Sequence, residues 1–287
     1  MVTFFYDINR KIKLKQHRIT VFEVALAGIL LAIYSIASLL EKYVFVGAFN
    51  IGIVYAIFII FGLALGPFKG ALLGILCDTI SQIIYGISTW MIEYAIVPVV
   101  IAFISGFLFR LFLLKEKRSW LFGFIFLAFI SAIFITILSI YYNQIPINEL
   151  AIKRKRVLSV DFVLSIGTIG LLLIWIASIT MFSLYLKTKK FHTKANMALL
   201  FSILLTVFFT LIITRWLWGP FAYINYHNRF RSGTWDYKTY YPIFMIPIIF
   251  KSLLEIPFYT MIIFAIYPVI LMIRNKINFY TNKIQTY

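Results

Sequence analysis

Gly62-Leu-Ala-Leu-Gly-Pro-Phe-Lys-Gly-Ala-Leu-Leu-Gly-Ile-Leu-Cys-Asp78 is the stretch whose reading decides the fold. Glycines fall at 62, 66, 70 and 74 and a carboxylate at 78, each four residues beyond the last. On a helix that spacing lines small residues along one face. In a bilayer such a face lets another backbone come close, because membrane helices associate by packing and not by exclusion of water. Gly66-Pro67 interrupts the line, since Gly suits a helix end and Pro the first position of the next. The stretch predicts two short helices joined by a tight turn, both smooth on one side. Asp78 then lies at membrane depth, where an acid is costly and by default functional. Ordinary helix packing, with Asp78 near an aqueous end, is the alternative.

Composition fixes the class. The chain is 62% hydrophobic, 19% aromatic and 13% charged, with a mean hydropathy of +0.95. Soluble domains carry about 25% charged residues. Continuous apolar runs recur along the whole length, which excludes the alternating pattern of a β-barrel. The expected fold is an all-α polytopic membrane protein, with about eight spans by the rule of roughly 20 apolar residues each. They fall near 19–41, 50–66, 67–86, 91–114, 119–141, 162–187, 195–217 and 241–273. The first has basic residues before it and small residues at Ser35 and Ala37. Its apolar core is too long for a cleaved secretory signal, so an uncleaved anchor is expected. The single cysteine, Cys77, excludes an internal disulfide.

Charge gives the orientation. Arg10, Lys11, Lys13, Lys15 and Arg18 precede the first span, and Arg110, Lys115, Lys117 and Arg118 follow the fourth. Lys187, Lys189, Lys190 and Lys194 follow the sixth, and Arg274, Lys276 and Lys283 follow the last. Alternating spans put all of these on one side, cytoplasmic by the positive-inside rule, with both termini there. The formal charge of +17 is therefore mostly topological. It predicts attraction to anionic lipid and gives no reason to expect nucleic acid. Lys153-Arg-Lys-Arg156 lands outside, either as an external anion-attracting patch or because a neighbouring span is miscounted.

The same topology predicts a long external loop, Arg215-Trp-Leu-Trp-Gly-Pro-Phe-Ala-Tyr-Ile-Asn-Tyr-His-Asn-Arg-Phe-Arg231, continuing to Tyr241. Arginine grips carboxylates with a planar fork, and Trp and Tyr stack on heterocycles. Together they suit an aromatic anion. An interfacial aromatic belt explains Trp216, Trp218 and Tyr240 equally well, and the three arginines less well. Lys251 and Glu255, four apart in the last span, share a face and are read as neutralising each other. The functional alternative puts one of them in a polar cavity with Asp78, and Glu93, at the start of the fourth span, could line the same mouth.

Catalytic patterns are absent. The sequence has no Walker loop and no His-Glu-x-x-His helix, and His17, His192 and His227 lack metal-ligand spacing. No nucleophile with a local His and Asp can be assembled. Neither an enzyme, a metal nor a cofactor is expected.

The run from Ile19 to Arg110 resembles the substrate-binding S components of energy-coupling factor (ECF) vitamin transporters. The residues that carry the likeness are Phe61-Gly-Leu-Ala-Leu-Gly-Pro-Phe-Lys-Gly70 and Gly74-Ile-Leu-Cys-Asp78. Pro98, Ala102-Phe-Ile-Ser-Gly106 and the basic end at Arg110 follow in order. Pro247-Ile-Ile-Phe-Lys-Ser-Leu-Leu-Glu-Ile-Pro257 resembles that family's last helix. The family is a six-helix bundle, so 119–194 is expected to hold an inserted hairpin between an S-component-like part at 19–118 and C-terminal helices at 195–287. The resemblance implies a subunit that captures a vitamin outside the cell and docks on a membrane-embedded T component driven by two ABC-type ATPases. The whole bundle would then topple in the membrane. In the family a small-residue face on the first helix meets the T component, and Gly28-Ile-Leu-Leu-Ala32 is the nearest match; Gly66, Gly70 and Gly74 are further candidates for docking.

Trp216-Leu-Trp-Gly-Pro-Phe followed by Arg229 is similar to folate-type members, with riboflavin or another cofactor precursor as the runner-up. On that resemblance Arg215 and Arg229 bind carboxylate, and Trp216, Trp218 and Tyr223 stack the ring. Asp78 and Glu93 complete the candidate site. A self-sufficient ion-coupled transporter, a multi-pass membrane enzyme and an assembly factor remain the other classes.

Overall fold

The glycine stretch folds as its spacing requires. In the computed structural model, helices α2 (Ile53–Leu65) and α3 (Pro67–Tyr85) meet at Gly66, whose φ of 87° lies in the region only glycine enters without strain. The Gly66 amide closes α2 onto the Gly62 carbonyl at 3.0 Å, and Pro67 opens α3 at its first position.

The structure describes residues 19–43, 52–86, 90–114, 116–144, 160–231 and 233–284. The basic stretch before Arg18 and the Lys153–Arg156 cluster lie outside them. Among the described residues every element is helical. Besides α2 and α3 the chain forms α1 (Val21–Tyr43), α4 (Ile92–Leu114), α5 (Glu116–Gln144), α6 (Val160–Lys187) and α7 (Phe191–Leu211). A π-helical segment (Ile212–Leu217) leads into α8 (Trp218–Phe230), and α9 (Tyr237–Ile284) closes the chain. Six stretches are long and apolar enough to cross a membrane: Val21–Tyr43, Pro67–Tyr85, Ile92–Leu111, Thr168–Lys187, Thr193–Phe230 and Pro247–Ile277. Ile53–Leu65 is a shorter apolar helix, and α5 contains the apolar stretch Trp120–Thr136. The protein is an all-α polytopic membrane protein.

The helices sort into two compact units. The first holds α1 to α4 with residues 202–214 and α9 from Phe258 onward. The second holds 115–201 and 215–257, so that α5, α6 and α8 belong to it with the first part of α9 and the π segment from Arg215 onward.

Backbone contact builds the first unit. A Cβ at Gly62 would strike the Ala102 carbonyl and Ser105 hydroxyl of α4, and one at Gly106 would lie 2.7 Å from the Gly62 carbonyl. A Cβ at Gly70 would sit 3.0 Å from Gly62 Cα, and one at Gly74 would sit 2.7 Å from the Val99 amide nitrogen. Small residues on α2, α3 and α4 thus bring three backbones together, the packing that substitutes for a hydrophobic drive in lipid. Ser105 seals the contact by donating to the Ile59 carbonyl at 3.3 Å.

Helix α1 lies along α3. At one end Lys69 pairs with the buried Glu23 at 2.5 Å, and Glu23 also forms a capping box with Thr20. Further along, Tyr34 bonds Ser81 at 2.5 Å and Ser38 donates to Tyr85 at 3.3 Å. The later part of α9 is tied in by Tyr259, which donates to the Gly52 carbonyl at 2.6 Å. The Phe109 and Tyr267 rings meet edge to face at 5.5 Å.

In the second unit α5 and α6 form a pair. Trp175 donates to Ser131 at 2.9 Å, and Trp120 packs against Phe182 and Tyr185 of α6. Trp120 also stacks on Phe201 with centroids 4.1 Å apart. Gly170 lets α6 approach Leu253 of α9, where a Cβ would come within 2.9 Å.

One expectation is overturned. The segment after Arg215 is not a loop: the helix of α7 passes through the π segment and continues as α8 to Phe230, and among the described residues only Arg231 and 233–236 are non-helical before Tyr237. Gly219-Pro220 is a pair that ordinarily breaks a helix. Its register problem is taken up locally, because the π segment comes immediately before a proline whose ring would otherwise meet the Trp216 carbonyl. Thr206, Thr210 and Thr214 each donate back to the carbonyl four residues earlier on the way into this segment, a bond that bends helices.

Candidate functional site

The residues singled out in the sequence fall in both units. In the first, Asp78 lies on the second half of α3, half-buried, and accepts from the Trp90 indole at 2.9 Å and from Gln82 at 3.4 Å. Trp90 immediately precedes α4, and Glu93 occupies that helix's first turn. Beside them, at the same end of α1 and α3, lie Tyr34, Ser81, Ser38 and Tyr85. Lys42 caps this end, donating to the Ile84 carbonyl while its ammonium rests 5.2 Å from the Tyr85 ring centroid. The result is a collar of carboxylate, ammonium, hydroxyls and aromatic rings. Reading the sequence missed the collar around Asp78, because Tyr34, Ser38 and Lys42 come from a different helix and nothing in their spacing refers to residue 78.

The second unit holds the arginine and tryptophan set. Arg215, carried by the π segment, forms an ion pair with Glu255 of α9. The Glu255 side chain is 0% exposed, Arg215 is 14% exposed, and Lys251 stands 3.8 Å from the same carboxylate on the previous turn of α9. The Lys251–Glu255 contact read from the sequence is present, and Arg215 is the stronger partner. Trp216 is buried.

Further along α8, Trp218 tilts against Phe221 at 5.1 Å, and Tyr223 meets Phe244 at 4.8 Å. His227 lies flat on Trp235 with centroids 3.4 Å apart, and Trp235 stacks in turn on Tyr240 at 4.9 Å. Asn228 holds the turn in place with two hydrogen bonds to the Trp235 backbone, at 2.9 and 3.1 Å. Arg229 is exposed on the last turn of α8.

The helix alters what the arginines can do together. A loop could fold Arg215 and Arg229 onto one carboxylate. Fourteen residues of helix separate them by about 20 Å at 1.5 Å per residue. One carboxyl group therefore cannot bridge both. The docking candidates divide as well. Gly70 and Gly74 are closed off by α2 and α4, so their small size serves packing within the chain, and Gly66 serves the turn. Gly28 is exposed with nothing within 4 Å of a would-be Cβ, and Ala32 is exposed one turn later.

No group of three or more His, Cys, Asp or Glu side chains arranged to hold a metal occurs among the described residues. Comparison with protein-family models, with characterised proteins and with solved structures gives no match.

Proposed function

We propose that this protein is the substrate-capture subunit of an ECF-type importer in the cell membrane, with both termini cytoplasmic. It takes a vitamin from outside and delivers it by docking on a membrane-embedded T component with two ABC-type ATPases. The observation that carries the reading is the open face at Gly28 and Ala32. These small residues point away from the chain's own helices, whereas those at 62, 70, 74 and 106 are enclosed by them. A bare small-residue face on an apolar helix is suited to close approach by another membrane helix.

Folate is the best-fitting cargo, with riboflavin or another cofactor precursor next, because the α8–α9 region combines Arg229 with Tyr223, Trp218 and other aromatic rings. Arg215, held by Glu255, sets the charge at the far end of the same helix. The deciding experiment purifies the protein from cells grown with vitamins and identifies the retained ligand by mass spectrometry. A pterin- or flavin-containing ligand supports the reading. Reconstitution alone in liposomes should give no accumulation, and sustained import by the isolated chain would sink it.

A second reading is favoured by the cluster of Arg215, Lys251 and Glu255. Ionisable groups buried in membrane helices mark ion and proton paths, which would suit a self-sufficient secondary transporter. Uptake without ATPases that collapses with the proton gradient would select it.

A further inference from the structure

Two arginines in the first unit have no part in the reading above. Arg110 lies one turn before the end of α4 and Arg274 on the later part of α9. The edge contact between Phe109 and Tyr267 fixes these two helices against each other at 5.5 Å. On α9, Tyr267, Ile270 and Ile277 are buried at 4%, 1% and 9% exposure. Arg274 is seven residues beyond Tyr267, two turns along the same face, and is half-buried.

The Phe109–Tyr267 contact brings Arg110, next to Phe109, and Arg274, two turns beyond Tyr267, to the same seam between α4 and α9. The Arg110 Nε atom is shielded from solvent and meets no hydrogen-bond acceptor, and no ion pair among the described residues involves either arginine. Like charges brought together out of water, with a donor unsatisfied, are costly unless an anion joins them.

We propose that Arg110 and Arg274 form a binding site for the phosphate of an anionic membrane lipid. The apolar run of α4 ends at Leu114, four residues beyond Arg110, and Arg274-Asn-Lys276 follows the last apolar run of α9. Each arginine thus sits in the last turn or so of its span, at the level where headgroups begin. A phosphodiester offers two unesterified oxygens, one for each planar fork. Its charge offsets the repulsion between the two cations. A lipid supplies that phosphate at the right height, with its acyl chains against the exposed apolar side chains of the two helices. The site is independent of the transport reading and stands or fails separately from it.

The test uses the full-length protein in nanodiscs of phosphatidylcholine, alone or mixed with phosphatidylglycerol, with retained lipid counted by native mass spectrometry. The wild type should retain phosphatidylglycerol in preference to phosphatidylcholine. Arg110→Gln and Arg274→Gln should each lower that retention roughly five-fold, which corresponds to about 1 kcal/mol per basic group at an anionic surface. Lys189→Gln, at an exposed cation elsewhere, should lower it by less than either arginine variant. Where a Gln variant fails to fold, the Lys variant at that position keeps the charge without the fork, and it too should retain less. Retention unchanged at both positions overturns the site. A second arm adds inorganic phosphate to discs of phosphatidylcholine alone and measures melting. An arginine-dependent stabilisation as large as that given by phosphatidylglycerol overturns the lipid assignment in favour of a free ion.

Discussion

Arg215 and Glu255 are forty residues apart in sequence, yet the π-helical segment delivers the guanidinium to a carboxylate with no solvent exposure. Lys251, one turn before Glu255, adds a second cation at 3.8 Å. Removing one member of such a pair leaves a buried charge uncompensated, which is strongly unfavourable. Replacing both by apolar groups is far less so.

Arg215→Met should therefore destabilise the protein by about 3–5 kcal/mol. The double variant Arg215→Met/Glu255→Leu should recover most of that loss. Denaturant or thermal unfolding in one detergent compares the three proteins. If the double variant were no more stable than the single, the pair would be a net contributor and not a mutual neutralisation.

Arg229 should behave in the opposite way. It is exposed, so Arg229→Ala should leave the melting temperature unchanged. On the transport reading it weakens vitamin binding by about 1.5–3 kcal/mol, the worth of a hydrogen bond to a charged group. Equilibrium binding of a radiolabelled ligand measures this, and unaltered affinity would remove Arg229 from the site.

The glycines of the first unit divide by what surrounds them. Gly74→Leu pushes a side chain into the Pro98–Val99 backbone of α4, and Gly62→Leu meets Ala102 and Ser105. Both should cost at least about 1–3 kcal/mol, the range for overpacked interiors, or prevent folding. Gly28→Leu enters open space and should leave stability and ligand binding intact while abolishing ATP-dependent uptake in the assembled transporter. Loss of binding together with uptake would make the first helix a folding element.

Gly66→Ala tests the hinge between α2 and α3. At a φ of 87° any Cβ is strained, and the substitution should cost about 1–2 kcal/mol. No loss of stability on thermal unfolding would mean that the turn relaxes out of this conformation.

The eight apolar segments read from the sequence are helical over most of their described residues, because a run of apolar residues in lipid has no other way to satisfy its backbone. Gly66-Pro67 was legible for an equally local reason, since one residue tolerates positive φ and the other lacks an amide hydrogen. Lys251 and Glu255 were legible as neighbours because four residues is one helical turn. The stretch from Arg215 to Arg231 was expected to be a loop, yet it is helical to Phe230, because a π turn just upstream lets the helix carry Gly219 and Pro220. The Thr20–Glu23 capping box follows from an equally local pattern, Thr-x-x-Glu before an apolar run.

Class, helix positions and the hinge were settled by the chain itself, since each depends on residues within a few turns of one another. Which glycines are enclosed and which are bare, which acid meets Arg215, and how far Arg215 stands from Arg229 were decided only by tertiary structure. Those outcomes turn on how each helix is rotated about its axis against its neighbours. That rotation comes from the sum of many weak contacts between distant segments and leaves no mark in the spacing of any one of them.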